Sequence, residues 1–169
     1  VSAILAIMVY IWFRFEWQFS IAAIMALTHD VLTTIGLFAL TSFEFNLATV
    51  AAILTIAGYS INDTVVVFDR VRENLRRYKS YKLMDILNKS LNETLSRTVM
   101  TSVTTLLALA AIVVFGGAVL RDFALAMIWG VVIGTYSSVF VAVGLLSRFD
   151  LKRSTLDDDG VDKPEYERP

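Results

Sequence analysis

Apolar residues fall in four long runs, at about Ser20 to Leu40, Asn46 to Phe68, Thr98 to Leu120 and Asp122 to Leu146, each bounded by polar or charged positions. Each run can cross a hydrocarbon core of roughly 30 Å as a helix. A fifth run, Val1 to Phe13, is too short to span alone and is expected to be the end of a helix that begins upstream. The pattern predicts an all-α, polytopic membrane helix bundle of five transmembrane helices over residues 1–146. After Phe68 the stripe Val67, Val71, Leu75 and Tyr78 carries the Asn46 helix out of the membrane, with Glu73 placed to pair with Arg76 or Arg77. Beyond Ser80, Leu83, Met84, Leu87, Leu91 and Leu95 mark one face of a second helix, expected to lie at the membrane surface and lead into the next span. Residues 69–97 thus form a cytoplasmic helical loop. The polar segment 147–169, with Asp157-Asp158-Asp159, is expected to be a cytoplasmic, mostly disordered tail.

Composition agrees with the pattern: 56% of residues are hydrophobic and 18% charged, with a mean hydropathy of +0.64, too apolar for an ordinary soluble domain. The net charge of −1 conceals where the charges fall. Eight Lys and Arg residues lie between Asp69 and Arg97, and with Arg14 and the five of the tail, fourteen of the fifteen share one side, leaving Arg121 opposite. By the positive-inside rule that side is cytoplasmic and Val1 starts outside, so an extracytoplasmic domain upstream is a natural expectation. Trp12, Phe13, Phe15, Trp17 and Phe19 crowd the connection around Arg14 and Glu16, at headgroup level. The absence of cysteine excludes disulfides, thiolate metal sites and cysteine nucleophiles. No phosphate loop, metal-spaced ligand set or nucleophile with a plausible base is present, so neither an enzyme, a cofactor nor nucleic-acid binding is expected.

Three polar clusters enter the apolar runs. Asn62 and Asp63 lie about five residues inside the end of their span, roughly 7 to 8 Å at 1.5 Å per residue. An ionisable group at such depth costs about 2.5 to 3.5 kcal/mol on insertion scales and usually serves a pathway or relay. His29 and Asp30 stand near the middle of the Ser20 run, on lines that continue to Thr33 and Thr34 respectively, and either a relay or a polar lock between helices would explain Asp30. Arg97, Thr101, Thr104 and Thr105 form a stripe entering the membrane from the basic side. An inward-leaning Arg97 reaches the level of Asp63, whereas snorkelling to the headgroups is the alternative. Burial and a neighbouring guanidinium act on a carboxyl in opposite senses, the balance that a proton switch needs. Gly130, Gly134 and Ser138 make a small-residue stripe on the last helix suited to close helix packing, and Gly116-Gly117 loosens the outer end of the helix before it.

The runs GYSINDTVVVFDRVREN (58–74), HDVLTTIGLF (29–38) and LSRTVMTSVTTLLALAAIVVFGG (95–117) together resemble the SecF family, membrane subunits of the bacterial SecDF protein-export machinery within the resistance-nodulation-division superfamily. The resemblance runs from Val1 to Lys152 and implies the last five of six transmembrane helices, with a periplasmic domain before them. It further implies proton-driven assistance of preprotein translocation after the SecYEG and SecA stage, in the inner membrane, with protons as coupling ion. Asp63 and Arg97 would then serve proton passage at the interface with SecD, and the HDV residues His29 and Asp30 match the family with a less settled role. Asn62, Thr101 and Thr105 accompany them as further candidates for the relay or lock. The implied partners are SecD, as a separate or a fused chain, with SecYEG, YajC, YidC, membrane lipids, and unfolded preprotein through the periplasmic domain. A proton-coupled exporter of small molecules or lipids in the same superfamily, or a scaffold subunit, are the alternatives.

Overall fold

The computed structural model describes residues 2–41, 46–78 and 81–149, and within them the chain is helical throughout its elements. Short α1 (Ser2–Arg14) turns at Phe15–Glu16 into α2 (Trp17–Thr41). α3 (Leu47–Arg77) starts on a capping box in which the Asn46 side chain accepts from the backbone of Ala48 and Thr49 (2.9 and 3.1 Å) and Thr49 Oγ1 accepts from the Asn46 N–H. α4 (Leu83–Phe115) runs back, and after Gly116–Gly117 α5 (Ala118–Tyr136) continues through a π-helical segment, Ser137–Ala142, into α6 (Val143–Leu146), making one rod called here the last helix. Among the described residues four helices are long and apolar enough to cross a membrane, and Leu5–Arg14 is a shorter apolar helix, matching four full spans and one partial one.

Two boundaries differ from expectation. The residues expected to form a separate surface helix are instead the first turns of α4, which passes unbroken into the span. The inward positions of that stretch are Ile86, Leu87, Ser90, Thr94, Thr98 and Ser102, while Met84 and Leu95 are exposed. A four-residue rhythm of small hydroxyl side chains from Ser90 onward takes over from Ile86 and Leu87 in facing the bundle, with Leu83 and Leu91 packed at its edge. The third long apolar run also does not reach Leu120: α4 ends at Phe115, and Leu120 and Arg121 lie in the first turn of α5. Hydropathy is blind to this turn, because Gly116 and Gly117 break the helix without lowering the apolar character. From residue 150 onward the expected disordered tail lies outside the described residues, as do Lys79 and Ser80.

α3 is the central helix, packed on α2, α4 and the last helix, while the α4 span is the least buried of the four and forms an edge. Toward the basic end, Phe15, Phe19 and Phe68 pack ring on ring (centroids 5.3 to 6.4 Å) among Ile11, Val67, Val71, Leu75, Ile86, Leu87, Val143 and Leu146. Phe15 and Phe19 are therefore core residues, and only Trp12, Phe13 and Trp17 of the aromatic cluster are exposed. At the other end Ile56, Leu109, Ala124, Met127 and Val131 close a second core. The outer surface carries Leu32, Leu40, Leu47, Leu107, Val114, Phe115 and Phe140, which hydrocarbon would cover.

The small-residue stripe works as a contact surface for α3. A Cβ on Gly130 would fall onto the Ile56 side chain, and one on Gly134 would lie 3.2 Å from Ser60 Cβ. Gly130→Ala is expected to destabilise the detergent-solubilised protein by roughly 1–3 kcal/mol through overpacking, with partial recovery in Gly130→Ala/Ile56→Ala. Gly58, with nothing within 4 Å, should accept alanine without loss of melting temperature.

Candidate functional site

α3 places Asp63 inward, between α3 and its neighbours, at 4% exposure. Its Oδ2 atom is buried and accepts no hydrogen bond. Arg97 lies on exposed α4 within electrostatic reach of Asp63, but no hydrogen bond or ion pair joins the two among the described contacts. Asn62 points outward. The threonines below Arg97 satisfy themselves on their own helix: Thr101 donates to the Arg97 carbonyl (3.0 Å), Thr104 to Met100 (2.8 Å) and Thr105 to Thr101 (2.8 Å). The stripe spends its hydroxyls on backbone oxygens one turn back, as mid-helix threonines commonly do. The inward line of α4 is the neighbouring one, with Ser102 bonded to Thr135 of α5 (2.7 Å) and approached by Tyr59 of α3 (3.5 Å).

Asp30, fully buried, is the opposite case to Asp63. Oδ2 accepts from Ser60 Oγ of α3 and from Ser137 Oγ of the last helix (2.6 Å), and His29 Nδ1 lies 3.0 Å from Oδ1. The Asp30 carbonyl also accepts from Thr33 and Thr34 (3.0 and 2.7 Å), so both threonines return to this residue rather than extending separate lines. One step along, Ser138 meets Thr64 at 2.9 Å and donates to the Ser60 carbonyl at 3.4 Å. Ser60, Thr64 and Ser137 were missed in the sequence, since isolated hydroxyls in apolar runs are common. The four-residue spacing of Ser60 and Thr64, on the line toward Asp30's helix, was the available signal.

At the basic end the extensions of α3 and α4 are fastened by charges. Arg70 bonds Glu93 (2.6 Å) and Glu73 (2.5 Å), the latter being the partner found for Glu73 instead of Arg76 or Arg77. Buried Asn74 donates to Ser90 (2.9 Å) and Glu93 (2.8 Å). Asp69 pairs with Arg14 at 3.4 Å, and Arg72 with Glu16 at 3.5 Å. Between the extensions lies an open cleft of about 330 Å³ lined by Val66, Asp69, Arg70, Glu73, Glu93, Thr94 and Arg97. The Asn74 amide, followed by Arg70, holds the Glu93 carboxyl below the usual carboxylate range, and Glu93 in turn raises Arg70.

A bundle of long apolar helices with carboxyl groups buried between them defines a polytopic integral membrane protein. The chain belongs to the SecD/SecF protein export membrane protein family, whose C-terminal model matches residues 1–152. It is 59% identical over 162 residues to the protein translocase subunit SecF of Rhodobacter capsulatus, covering 96% of this chain and 49% of that protein. It is 52% identical over 145 residues to the SecF of Rickettsia rickettsii, covering 86% and 47%. The crystal structure of SecDF, a translocon-associated membrane protein from Thermus thermophilus, superposes with a TM-score of 0.80 at 50% identity, over 83% of this chain and 20% of that one. The chain thus spans about half the length of the SecF relatives it matches.

Glu93 supplies a check on the basic end. Its folded pKa is depressed, so its contribution to stability is present above the unfolded value of about 4.3 and is lost as pH falls through the folded value. Hydrogen exchange in residues 70–94, corrected for the intrinsic rate, should therefore accelerate on acidification into that window. Glu93→Gln should exchange faster at neutral pH and lose the acid dependence.

Proposed function

We propose that this chain is the proton-handling membrane part of an accessory subunit of bacterial Sec protein export, seated in the inner membrane with its C-terminus in the cytoplasm. With SecD it would convert proton passage down the protonmotive force into conformational work on preprotein, beside SecYEG, YajC and YidC, with protons the only coupling agent. One observation supports this reading above the rest. Asp63 is a buried carboxyl inside a span whose Oδ2 has no hydrogen-bond partner, while a guanidinium stands near without closing on it. Leaving such a group unsatisfied is expensive, and a membrane protein that keeps one gains only if the group changes partner during its cycle. Gaining a proton, or gaining Arg97, are the two ways of relieving it. Each 100 mV of membrane potential supplies about 2.3 kcal/mol per charge moved, enough to bias two arrangements of the bundle.

In this reading Arg97 is the group that moves. It stands on α4, the least buried span, and lines an open cleft at the basic end. A short displacement of α4 or of the side chain would exchange the ion-paired and separated states, admitting a proton to Asp63 in the latter. Arg70, which lines the same cleft, is occupied by Glu73 and Glu93.

Asp63→Asn in the full-length protein keeps the shape and most hydrogen-bonding capacity but cannot release a proton. Protonmotive-force stimulation of preprotein export in inverted vesicles should disappear, while the ATP-driven stage persists. Stimulation unchanged from wild type would leave the chain a scaffold and end the proton reading.

A further inference from the structure

Asp30 takes no part in the exchange described for Asp63, yet more of the bundle converges on it than on any other carboxyl among the described residues. Its carboxylate collects Ser60 from α3 and Ser137 from the last helix, with His29 beside it on α2, so three helices meet at one group. With its proton on Nδ1, His29 is a third donor. A carboxyl group surrounded by donors has its hydrogen-bonding capacity met by the protein.

The two serines sit at consequential places. Ser60 lies three residues before Asp63 on α3, where Gly134 of the last helix packs directly against it. Ser137 opens the π-helical segment, and Ser138, the next residue, is turned to Thr64 and the Ser60 carbonyl. Consecutive residues of a regular helix point about 100° apart, so their simultaneous use against α2 and α3 suits the widened turn, a distortion that recurs at functional sites.

We propose that Asp30 is a positioning residue: by holding Ser60 and Ser137 it fixes the rotation of α3 against the last helix, and through α3 it sets how Asp63 faces Arg97. This rests on the proton-handling role of Asp63 proposed above. Among the described residues, the titratable groups facing this region are His29 on α2 and Asp63 on α3. The last helix brings hydroxyls there, its one titratable side chain between Asp122 and Arg148 being Tyr136, which is exposed.

The test uses the full-length protein with its partner subunit in proteoliposomes carrying an internal pH dye, and compares Asp30→Asn, Ser60→Ala and Ser137→Ala with wild type and Asp63→Asn. Spin labels at the exposed positions 55 on α3 and 140 on the last helix report the helix arrangement independently of flux. Asp30→Asn should lower flux by about tenfold and displace the pH midpoint of flux by about half a unit, with a changed label distance and undiminished protein yield. Ser137→Ala and Ser60→Ala, which keep the carboxylate and remove one donor each, should move both readouts in the same direction by less. If Asp30→Asn does not accumulate in the membrane, these two carry the test alone. A wild-type label distance, or flux reduced with an unmoved pH midpoint, overturns the positioning role. Wild-type flux in Asp63→Asn overturns the proton reading on which it rests, whatever the labels report.

Discussion

Inside hydrocarbon a polar group has no water to fall back on, so each one must find its partner within the bundle or remain costly. That constraint organises this structure. The hydroxyls of α4 close on their own backbone or on Thr135, those of α3 and the last helix meet one another, and Asp30 draws two of them together. Satisfaction at this density needs close helices, and the glycines at 130 and 134 provide the approach by letting Ile56 and Ser60 sit against the last helix. Against that background, the bare Oδ2 of Asp63 is an exception on the same helix as Ser60 and Thr64.

In the proposed mechanism the two buried aspartates divide the work that a membrane machine needs. Asp30 has its donors built in and behaves as a fixed point, while Asp63 has its charge partner held off at the edge of the bundle. A bundle in which every acid were held as fully as Asp30 would have no group left to change partner. One in which none were would have no defined geometry to return to. The basic end extends the same division: α3 and the start of α4 are clamped by Asn74, Arg70 and Glu93, but the clamp leaves open the cleft that Arg97 lines.

Much of the fold was legible because lipid imposes a length on every span and a charge asymmetry on its ends. The four full spans, the partial first helix and the outward extension of α3 follow from run lengths and the Lys and Arg distribution. The turn at Gly116–Gly117 was legible only as a glycine pair that loosens the end of its run, since the apolar character passes through it, and the fusion of the Leu83 helix with the span was hidden because Asn88, Lys89, Asn92, Glu93 and Arg97 lower the hydropathy before Thr98 without breaking the helix. At the site, the expected ion pair of Asp63 with Arg97 is not formed among the described contacts, but their neighbourhood could be read from helical rise. The Asp30 cradle could not. Ser60 and Ser137 are 77 positions apart in the chain, and a serine in an apolar helix reads equally well as a packing residue, so only the fold reveals that both hydroxyls reach one carboxylate. The π-helical turn has no sequence signature at all.

The claim that carries the account is that Asp63 and Arg97 act as one unit across the α3–α4 boundary. A double-mutant comparison of proton flux addresses it directly, with Asp63→Asn, Arg97→Met and the two combined, in full-length protein with its partner subunit in proteoliposomes. If they form one unit, the double variant conducts no worse than the more impaired single variant, because the second substitution removes an interaction already gone. Losses that multiply independently would show that the two residues serve separate purposes, and the exchange of Arg97 for a proton at Asp63 would have to be abandoned.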